Sequence, residues 1–417
     1  MSRKLALGIL LEITEKNAYA DLAVKNALSA SSLEKRDKAL ATSLVYGTIQ
    51  HLRFIDYQLS AVSARPIESL TPAVRGILRM AVYQFRFMDR IPNHAVVNEA
   101  VNLTKRHAYS ASAYVNGVLR NIQRKGYAYP EKLQERLGVE YSVPDFLVKL
   151  WMQEFGAAEC EKLLSASNEV PPISIRINPL KSSPAEVGAL CRMQKTPLEY
   201  GFHIDEPKNI AETAMFKDGW LSIQDIGAQM ASLALSPLPG QKVLDMCAAP
   251  GGKTTHMAEL MENCGEITAW DIHPHKVELI KKNANRLGIS IIEAKAHDAR
   301  LPDEEHLEYF DKIMVDVPCS GLGILRKKPD IKWQRKIEDL EALTAVQAEV
   351  LKNAARHLKS GGALLYSTCT LNRAENENIV EAFLRENPDF KQDGEFRTLL
   401  PHRDNTDGFF FAKLRKR

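Results

Sequence analysis

The chain has 417 residues, of which 45% are apolar and 26% charged, and a formal net charge of +3. This is the composition of a soluble globular protein rather than a disordered one, and the length exceeds one ordinary core, so two or three domains are expected. No stretch reaches the roughly 18 uninterrupted apolar residues of a membrane span, so no membrane partner is expected. Cys160, Cys191, Cys247, Cys264, Cys319 and Cys369 form no C-x-x-C pair and no metal-ligand spacing. Reduced thiols in a cytoplasmic protein without a bound metal are therefore predicted. The N-terminus imitates a signal peptide through Arg3-Lys4 and Leu5 to Leu11, but Glu12, Glu15 and Lys16 interrupt it, and Leu5, Ile9 and Ile13 continue at helical spacing.

The modest net charge conceals an asymmetry. Residues 1–125 hold 18 Lys+Arg against 9 Asp+Glu, a balance of +9, which leaves −6 for the remainder. A basic module on an acidic body is the footprint of a nucleic-acid anchor, because phosphate contacts release counterions. This part reads as a bundle of about six or seven helices. Its clearest helix starts at Thr71-Pro72 and carries Val74, Leu78, Ala81, Phe85 and Met88 on one stripe. The runs Lys35-Arg36-Asp37 to Leu44-Val45-Tyr46-Gly47, Ile91-Pro92-Asn93-His94 to Glu99-Ala100, and Val115-Asn116-Gly117-Val118-Leu119-Arg120 together resemble a NusB-type RNA-binding domain. Asn93, Asn98, Glu99 and Asn116 are expected to cap helices and pin loops rather than to touch RNA.

Residues 126–215 read as a small α+β linking domain, punctuated by Pro144, Pro171, Pro172, Pro179, Pro184 and Pro197. It has a helical patch at 146–155 and an alternating strand at Ile173–Asn178. Within it, Arg176-Ile177-Asn178-Pro179 resembles an edge motif of RNA methyltransferases, which implies a substrate running over this domain.

Over residues 216–417 the pattern becomes strand, helix, strand, helix. Apolar runs at Val243-Leu244, 267–270, 291–296, 313–315 and 363–366 alternate with helices after Lys253, Pro274, Glu338 and Glu375. A Rossmann-like α/β domain is predicted, with ligands at the carboxyl ends of its parallel strands. The first such end is Asp245-Met246-Cys247-Ala248-Ala249-Pro250-Gly251-Gly252-Lys253. Cys247 stands where a P-loop needs glycine, and G-x-G-x-x-G is absent. S-adenosylmethionine, which has no phosphate, remains as the ligand. Asp271 ends the second strand, where it can accept the ribose hydroxyls, and Asp298 follows the third, where it can accept the adenine amino group. Gln224, Asp225 and Gln229 are expected to pack around the cofactor, and Asp407-Gly408-Phe409-Phe410-Phe411 to begin a last sheet strand.

The fourth strand leads into Asp316-Val317-Pro318-Cys319-Ser320-Gly321 and the fifth into Ser367-Thr368-Cys369-Thr370, which sets two thiols at one rim of the sheet. Such a pair suits methylation at carbon 5 of cytosine. That carbon becomes nucleophilic only after a thiolate adds to carbon 6, and the adduct must afterwards shed a proton and the thiolate. Asp316 can hydrogen-bond the base edge. The remaining cysteines, Cys160, Cys191 and Cys264, are expected to be inert packing, and Cys247 structural. Arg326-Lys327-Lys328-Pro329-Asp330-Ile331-Lys332-Trp333 would suit a phosphate backbone and a stacked or flipped base.

Together, Asp245 to Lys253, Asp271, Asp298, Asp316 to Gly321 and Ser367 to Thr370 resemble the RNA cytosine-5 methyltransferases of the NOL/NOP/Sun family. With the NusB-like N-terminus, the resemblance is to its Sun/RsmB (Fmu) branch. It implies that Cys369 is the nucleophile, that Cys319 assists product release, and that Asp316 contacts the base and the cofactor. It also implies Cys247, Ala248, Ala249, Pro250, Gly251, Gly252, Lys253, Asp271 and Asp298 as the S-adenosylmethionine site. The substrate it implies is 16S rRNA at cytosine 967, met as naked RNA or in a small-subunit assembly intermediate, with the enzyme a monomer. Methylation of tRNA at the same carbon, or a non-catalytic RNA-binding role in ribosome assembly, are the alternative readings.

Overall fold

The computed structural model describes residues 1–204 and 210–417. By packing, the chain forms two compact units, one of residues 1–169 with 325–334, the other of 170–324 with 335–417. Among the described residues no helix is long and apolar enough to cross a membrane.

The first unit is entirely helical. Seven α-helices run from Ser2 to Lys125, and Leu133–Glu140, Asp145–Phe155 and Ala157–Ala166 pack with them. The predicted stripe organises the core: Val74, Leu78 and Ala81 of helix Pro72–Phe87 are buried among Leu7, Leu10, Leu44, Val45 and Leu119. Gly47 explains its own place in the motif that ends at it, because a Cβ there would lie 2.0 Å from the Tyr83 ring. The polar motif residues lie within helices and do not cap them: Asn93 is the first residue of helix Asn93–His107 with no side-chain cap, Asn116 Oδ1 accepts Arg120 Nε at 3.2 Å, and Glu99 lies 3.8 Å from Arg3.

Residues 325–334 correct an expectation. Lys332 is 1% exposed and donates to the Gln50 carbonyl at 2.7 Å, while Trp333 Nε1 donates to the Ile49 carbonyl at 2.8 Å. Asp330 accepts the Ala20 backbone N–H at 3.1 Å. Helix Lys35–Gln50 ends with carbonyls that lack intrahelical donors, and this segment supplies donors to two of them. Burial pulls the Lys332 ammonium down to about 7. Lys332 and Trp333 are thus interior anchors of the helical unit, not RNA contacts.

The second unit holds two sheets. The smaller comprises β1 (Ile173–Ile177), β2 (Met193–Lys195), β3 (Gly201–Ile204) and β4 (Leu221–Ile223), antiparallel in the order β2-β3-β1-β4. Alternation sends Ile175 and Ile177 into an apolar cluster with Val187, Phe202 and Leu221, and turns Arg176 the other way. β1 is a central strand, so the motif expected at an edge is interior. Arg176, 1% exposed, forms a bidentate pair with Glu259 (2.6 and 2.8 Å). It also donates to the Gly252 carbonyl and to Thr255 Oγ1, both at 3.1 Å, and to Gln224 Oε1. Asn178 is equally buried, donating to the Gly219 and Leu287 carbonyls at 2.9 and 3.0 Å.

The larger sheet comprises β5 (Lys242–Asp245), β6 (Glu266–Asp271), β7 (Ile292–Ala296), β8 (Phe310–Asp316), β9 (Leu358–Thr368), β10 (Phe390–Gln392), β11 (Arg397–Leu399) and β12 (Phe409–Lys416). Its order is β10-β12-β9-β8-β5-β6-β7, with β11 on β12. Strands β5 to β9 pair in parallel, and β12 adds antiparallel to β9, so Phe409–Phe411 do begin a last strand. Helices Gly252–Leu260, Pro274–Leu287, Ile337–His357 and Glu377–Glu386 complete the Rossmann-like layers. The chain order reverses between β5 and β8, which is where such sheets open a crevice for ligands.

Removing one partner of a buried ion pair strands the other charge. Arg176→Met should lower unfolding free energy by about 3–5 kcal/mol, and the double variant Arg176→Met/Glu259→Leu should recover much of that loss, as measured by urea denaturation.

Candidate active site

The crevice has two walls. One is the turn after β5, where Asp245, 1% exposed, accepts Thr254 Oγ1 on Oδ2 at 2.7 Å. Its Oδ1 is buried without a hydrogen-bond partner. Burial pushes this carboxyl up to about 7. The turn runs through Cys247 to a cis Ala249–Pro250 bond and Gly251, whose φ of 98° favours glycine. The Ala248 N–H donates to the Trp270 carbonyl at 2.8 Å, and Asn283 Nδ2 to the Pro250 carbonyl at 2.8 Å, so β6 and the next helix brace the loop. Helix Gly252–Leu260 follows, directing its first N–H groups toward the crevice. Burial drives the Cys247 thiol far up, which disfavours its thiolate.

Asp271 and Asp298 continue this wall from the ends of β6 and β7. Asp271 is 8% exposed and accepts the His273 N–H on Oδ1 at 3.0 Å. Asp298 is clamped by Arg300, whose Nη2 donates at 2.6 Å, and that hydrogen bond holds the carboxyl below its ordinary range. An orphaned buried carboxylate oxygen, a glycine turn at a helix start and two acids on successive strands fit a nucleoside with a charged tail.

The other wall is built by β8 and β9. Because these strands are paired in parallel, with Asp316 opposite Ser367, the loops that leave them meet. Cys319 and Cys369 stand with their Sγ atoms 3.3 Å apart. Gly323 binds the loops again, its N–H donating to the Cys369 carbonyl at 3.0 Å and its carbonyl accepting the Gly408 N–H at 2.8 Å. A Cβ on Gly323 would stand 2.1 Å from the Gly408 oxygen, so only glycine fits that crossing.

Asp316 links the two walls. It accepts Lys253 Nζ on Oδ2 at 2.6 Å and Ser367 Oγ on Oδ1 at 2.7 Å. Burial works against the Lys253 ammonium, but the Asp316 carboxylate outweighs it and keeps the pKa above its ordinary value. The two thiols diverge. The hydrogen bond from Cys319 lowers Cys369 against burial and the Asp316 charge, with Lys253 assisting. The same bond, together with burial, raises Cys319 well above a free thiol. The geometry therefore sets two hydrogen-bonded thiols at a shared rim, beside a cation, with Cys369 the more readily ionised.

Of the residues expected from sequence, Asp245, Cys247 to Lys253, Asp271, Asp298, Asp316, Cys319 and Cys369 lie along these two walls. Sequence reasoning missed the Lys253–Asp316 pair, having taken Lys253 only for the cofactor, and missed Glu375, which is buried behind the thiol loops. The charge on Asp316 one strand away was the available signal for Lys253. Gln224 and Gln229 are buried as expected, with Gln229 Nε2 donating to the Gln224 and Ile175 carbonyls at 2.9 and 3.2 Å.

Comparison with known proteins places this arrangement. Residues 232–415 match the family model described as 16S rRNA methyltransferase RsmB/F, residues 1–124 the NusB family, and residues 143–201 the ferredoxin-like domain of RsmF/B-like methyltransferases. The chain is 38% identical to the "Probable ribosomal RNA small subunit methyltransferase B" of Bacillus subtilis (strain 168), over 100% of this chain and 98% of that protein. It is 34% identical to the "Ribosomal RNA small subunit methyltransferase B" of Serratia proteamaculans (strain 568), over 92% of each. A solved methyltransferase homolog protein from Pyrococcus horikoshii superposes with a TM-score of 0.62 at 28% identity, covering 69% of this chain and 100% of that one. On these matches over its full length, the chain belongs to the RsmB/F family of 16S rRNA methyltransferases.

Proposed function

We propose that this protein transfers a methyl group from S-adenosylmethionine to carbon 5 of a cytosine in 16S rRNA, the target being cytosine 967, through a covalent adduct on Cys369. The observation that carries the reading is the pair of thiols 3.3 Å apart at the ends of adjacent parallel strands, beside the Lys253–Asp316 ion pair. Residues 247–253, Asp271, Asp298 and Asp316 would hold the cofactor. When bound, S-adenosylmethionine supplies a methyl group activated by its sulfonium.

The Cys369 thiolate adds to carbon 6 of the base, which makes carbon 5 electron-rich enough to take that methyl group. Asp316, fixed by Lys253 and Ser367, accepts a hydrogen bond from the base edge and orients the ring. After transfer, the carbon-5 proton passes to solvent water, its bonding pair restores the C5–C6 double bond, and the C6–S pair leaves with sulfur, returning Cys369 as thiolate. Cys319 assists this release by donating its proton into the hydrogen bond that stabilises the departing sulfur. The basic segment 1–125 anchors the RNA, segment 126–215 links it to the catalytic domain 216–417, and the protein acts as a cytoplasmic monomer on rRNA or an assembling small subunit.

The direct test is methyl transfer from labelled cofactor to unmodified 16S rRNA, with tRNA as the competing substrate. Cys369→Ala should form no adduct and transfer no methyl, whereas Cys319→Ala should accumulate an RNA adduct that survives denaturation. Methylation retained by Cys369→Ala would defeat the mechanism, and transfer to tRNA alone would defeat the substrate.

A pH dependence follows from the same geometry. The thiolate is the reacting form, so lowering the Cys369 pKa moves the onset of reaction to lower pH. Single-turnover adduct formation should rise with a midpoint below that of an unperturbed thiol. Lys253→Met, which removes an assisting cation, should move that midpoint upward.

A further inference from the structure

Behind the thiols lies a fully buried carboxylate that the proposed chemistry does not use. Glu375 is 0% exposed, and four donors converge on it. Its Oε2 accepts the Ser320 backbone N–H at 2.8 Å and Gln347 Nε2 at 3.0 Å. Its Oε1 accepts Ser320 Oγ at 2.5 Å and Asn372 Nδ2 at 2.9 Å. The Glu375 backbone carbonyl accepts the Tyr366 hydroxyl at 2.6 Å, and Gln347 reaches on to the Pro318 carbonyl at 3.0 Å.

These bonds fall on both sides of the thiol pair. Pro318 and Ser320 flank Cys319 directly, and Tyr366 precedes Cys369 on β9. Ser320 Oγ and Thr370 Oγ1, 2.7 Å apart, close the ring between the two loops. An ionised carboxylate has about four acceptor sites, and here each oxygen takes two donors. Burying such a charge is costly, and a neutral side chain would fill the space without that cost.

We propose that Glu375 is a positioning residue that clamps the Cys319 turn against the Cys369 loop and keeps the shared proton on Cys319, an inference that rests on Cys369 being the nucleophile. A fixed anion beside Cys319 disfavours a second negative charge there. Cys319 faces Cys369 and Glu375, and Tyr366 lies within reach of both Cys319 and Glu375. Cys369 faces Cys319, Lys253, Asp316 and Asp407. Glu375 therefore biases the pair toward ionisation of Cys369 from the Cys319 side, while on the Cys369 side Lys253 favours that ionisation and Asp316 and Asp407 oppose it.

The test uses the full chain without RNA. Alkylation of each cysteine by iodoacetamide is followed by peptide mass spectrometry across pH, for wild type, Glu375→Gln and Glu375→Asp. Thermal unfolding and S-adenosylhomocysteine binding serve as controls of the fold. In wild type, Cys369 should react first. In Glu375→Gln, Cys319 should gain about tenfold in rate near pH 8, the effect of one pKa unit. Methyl transfer should fall by a similar factor in kcat with KM for RNA little changed. Glu375→Asp keeps the charge and should restore most of the wild-type order. A folded Glu375→Gln variant in which Cys319 alkylation is no faster than in wild type overturns the inference, as does Glu375→Asp behaving like Glu375→Gln. Should Glu375→Gln fail to fold, Glu375→Asp against wild type still decides: loss of the order in it contradicts the role of the charge. Loss of Cys369-dependent adducts in the wild type would instead strike the proposed function, and the alkylation order, measured without RNA, separates the two failures.

Discussion

The hydrogen bond between two thiols 3.3 Å apart is the interaction on which the site depends, and it exists because β8 and β9 are parallel neighbours. Parallel pairing puts both carboxyl ends at one rim, so loops separated by 50 residues in sequence meet there. That hydrogen bond divides their tendencies, lowering the Cys369 pKa and raising that of Cys319. Nothing in the chemistry of cysteine distinguishes Cys319 from Cys369. The asymmetry comes from their surroundings: Lys253 favours ionisation of Cys369 against the Asp316 charge, and the Glu375 carboxylate disfavours ionisation of Cys319.

The rim would be of little use without a rigid floor, and that floor is polar. Arg176 reaches from the small sheet to the Gly252 carbonyl and to Glu259 on the helix that begins at the glycine turn. The turn is thereby fixed by a buried cation as well as by the β6 and Asn283 contacts. Such buried charge contributes less to net stability than apolar packing would. Its strict geometric demands fix one placement of the glycine turn relative to the strand ends, and that placement sets Lys253 over Asp316.

Much of this was legible in the sequence because it obeys local rules. The alternation of strands and helices after Trp220, the helical character of the first 125 residues and the stripe on helix Pro72–Phe87 all follow from periodicity. The acids at successive strand ends and the two cysteine motifs could be read as one rim once a parallel sheet was assumed. What could not be read depends on partners far apart in the chain. Arg176 looks like an exposed basic residue until Glu259 is placed against it. Lys332 and Trp333 look like an RNA-binding loop until the free carbonyls of Ile49 and Gln50 claim them. Glu375 looks like one more surface acid, because Ser320 and Gln347 lie 55 and 28 residues away.

The central claim is that Cys369, and not Cys319, bonds to the base. The most direct measurement uses 16S rRNA carrying 5-fluorocytidine at the target position, incubated with the protein and S-adenosylmethionine. Fluorine replaces the proton that must leave carbon 5, so the adduct cannot resolve. Digestion and mass spectrometry should place the RNA on the peptide containing Cys369. Attachment to the Cys319 peptide would contradict the account.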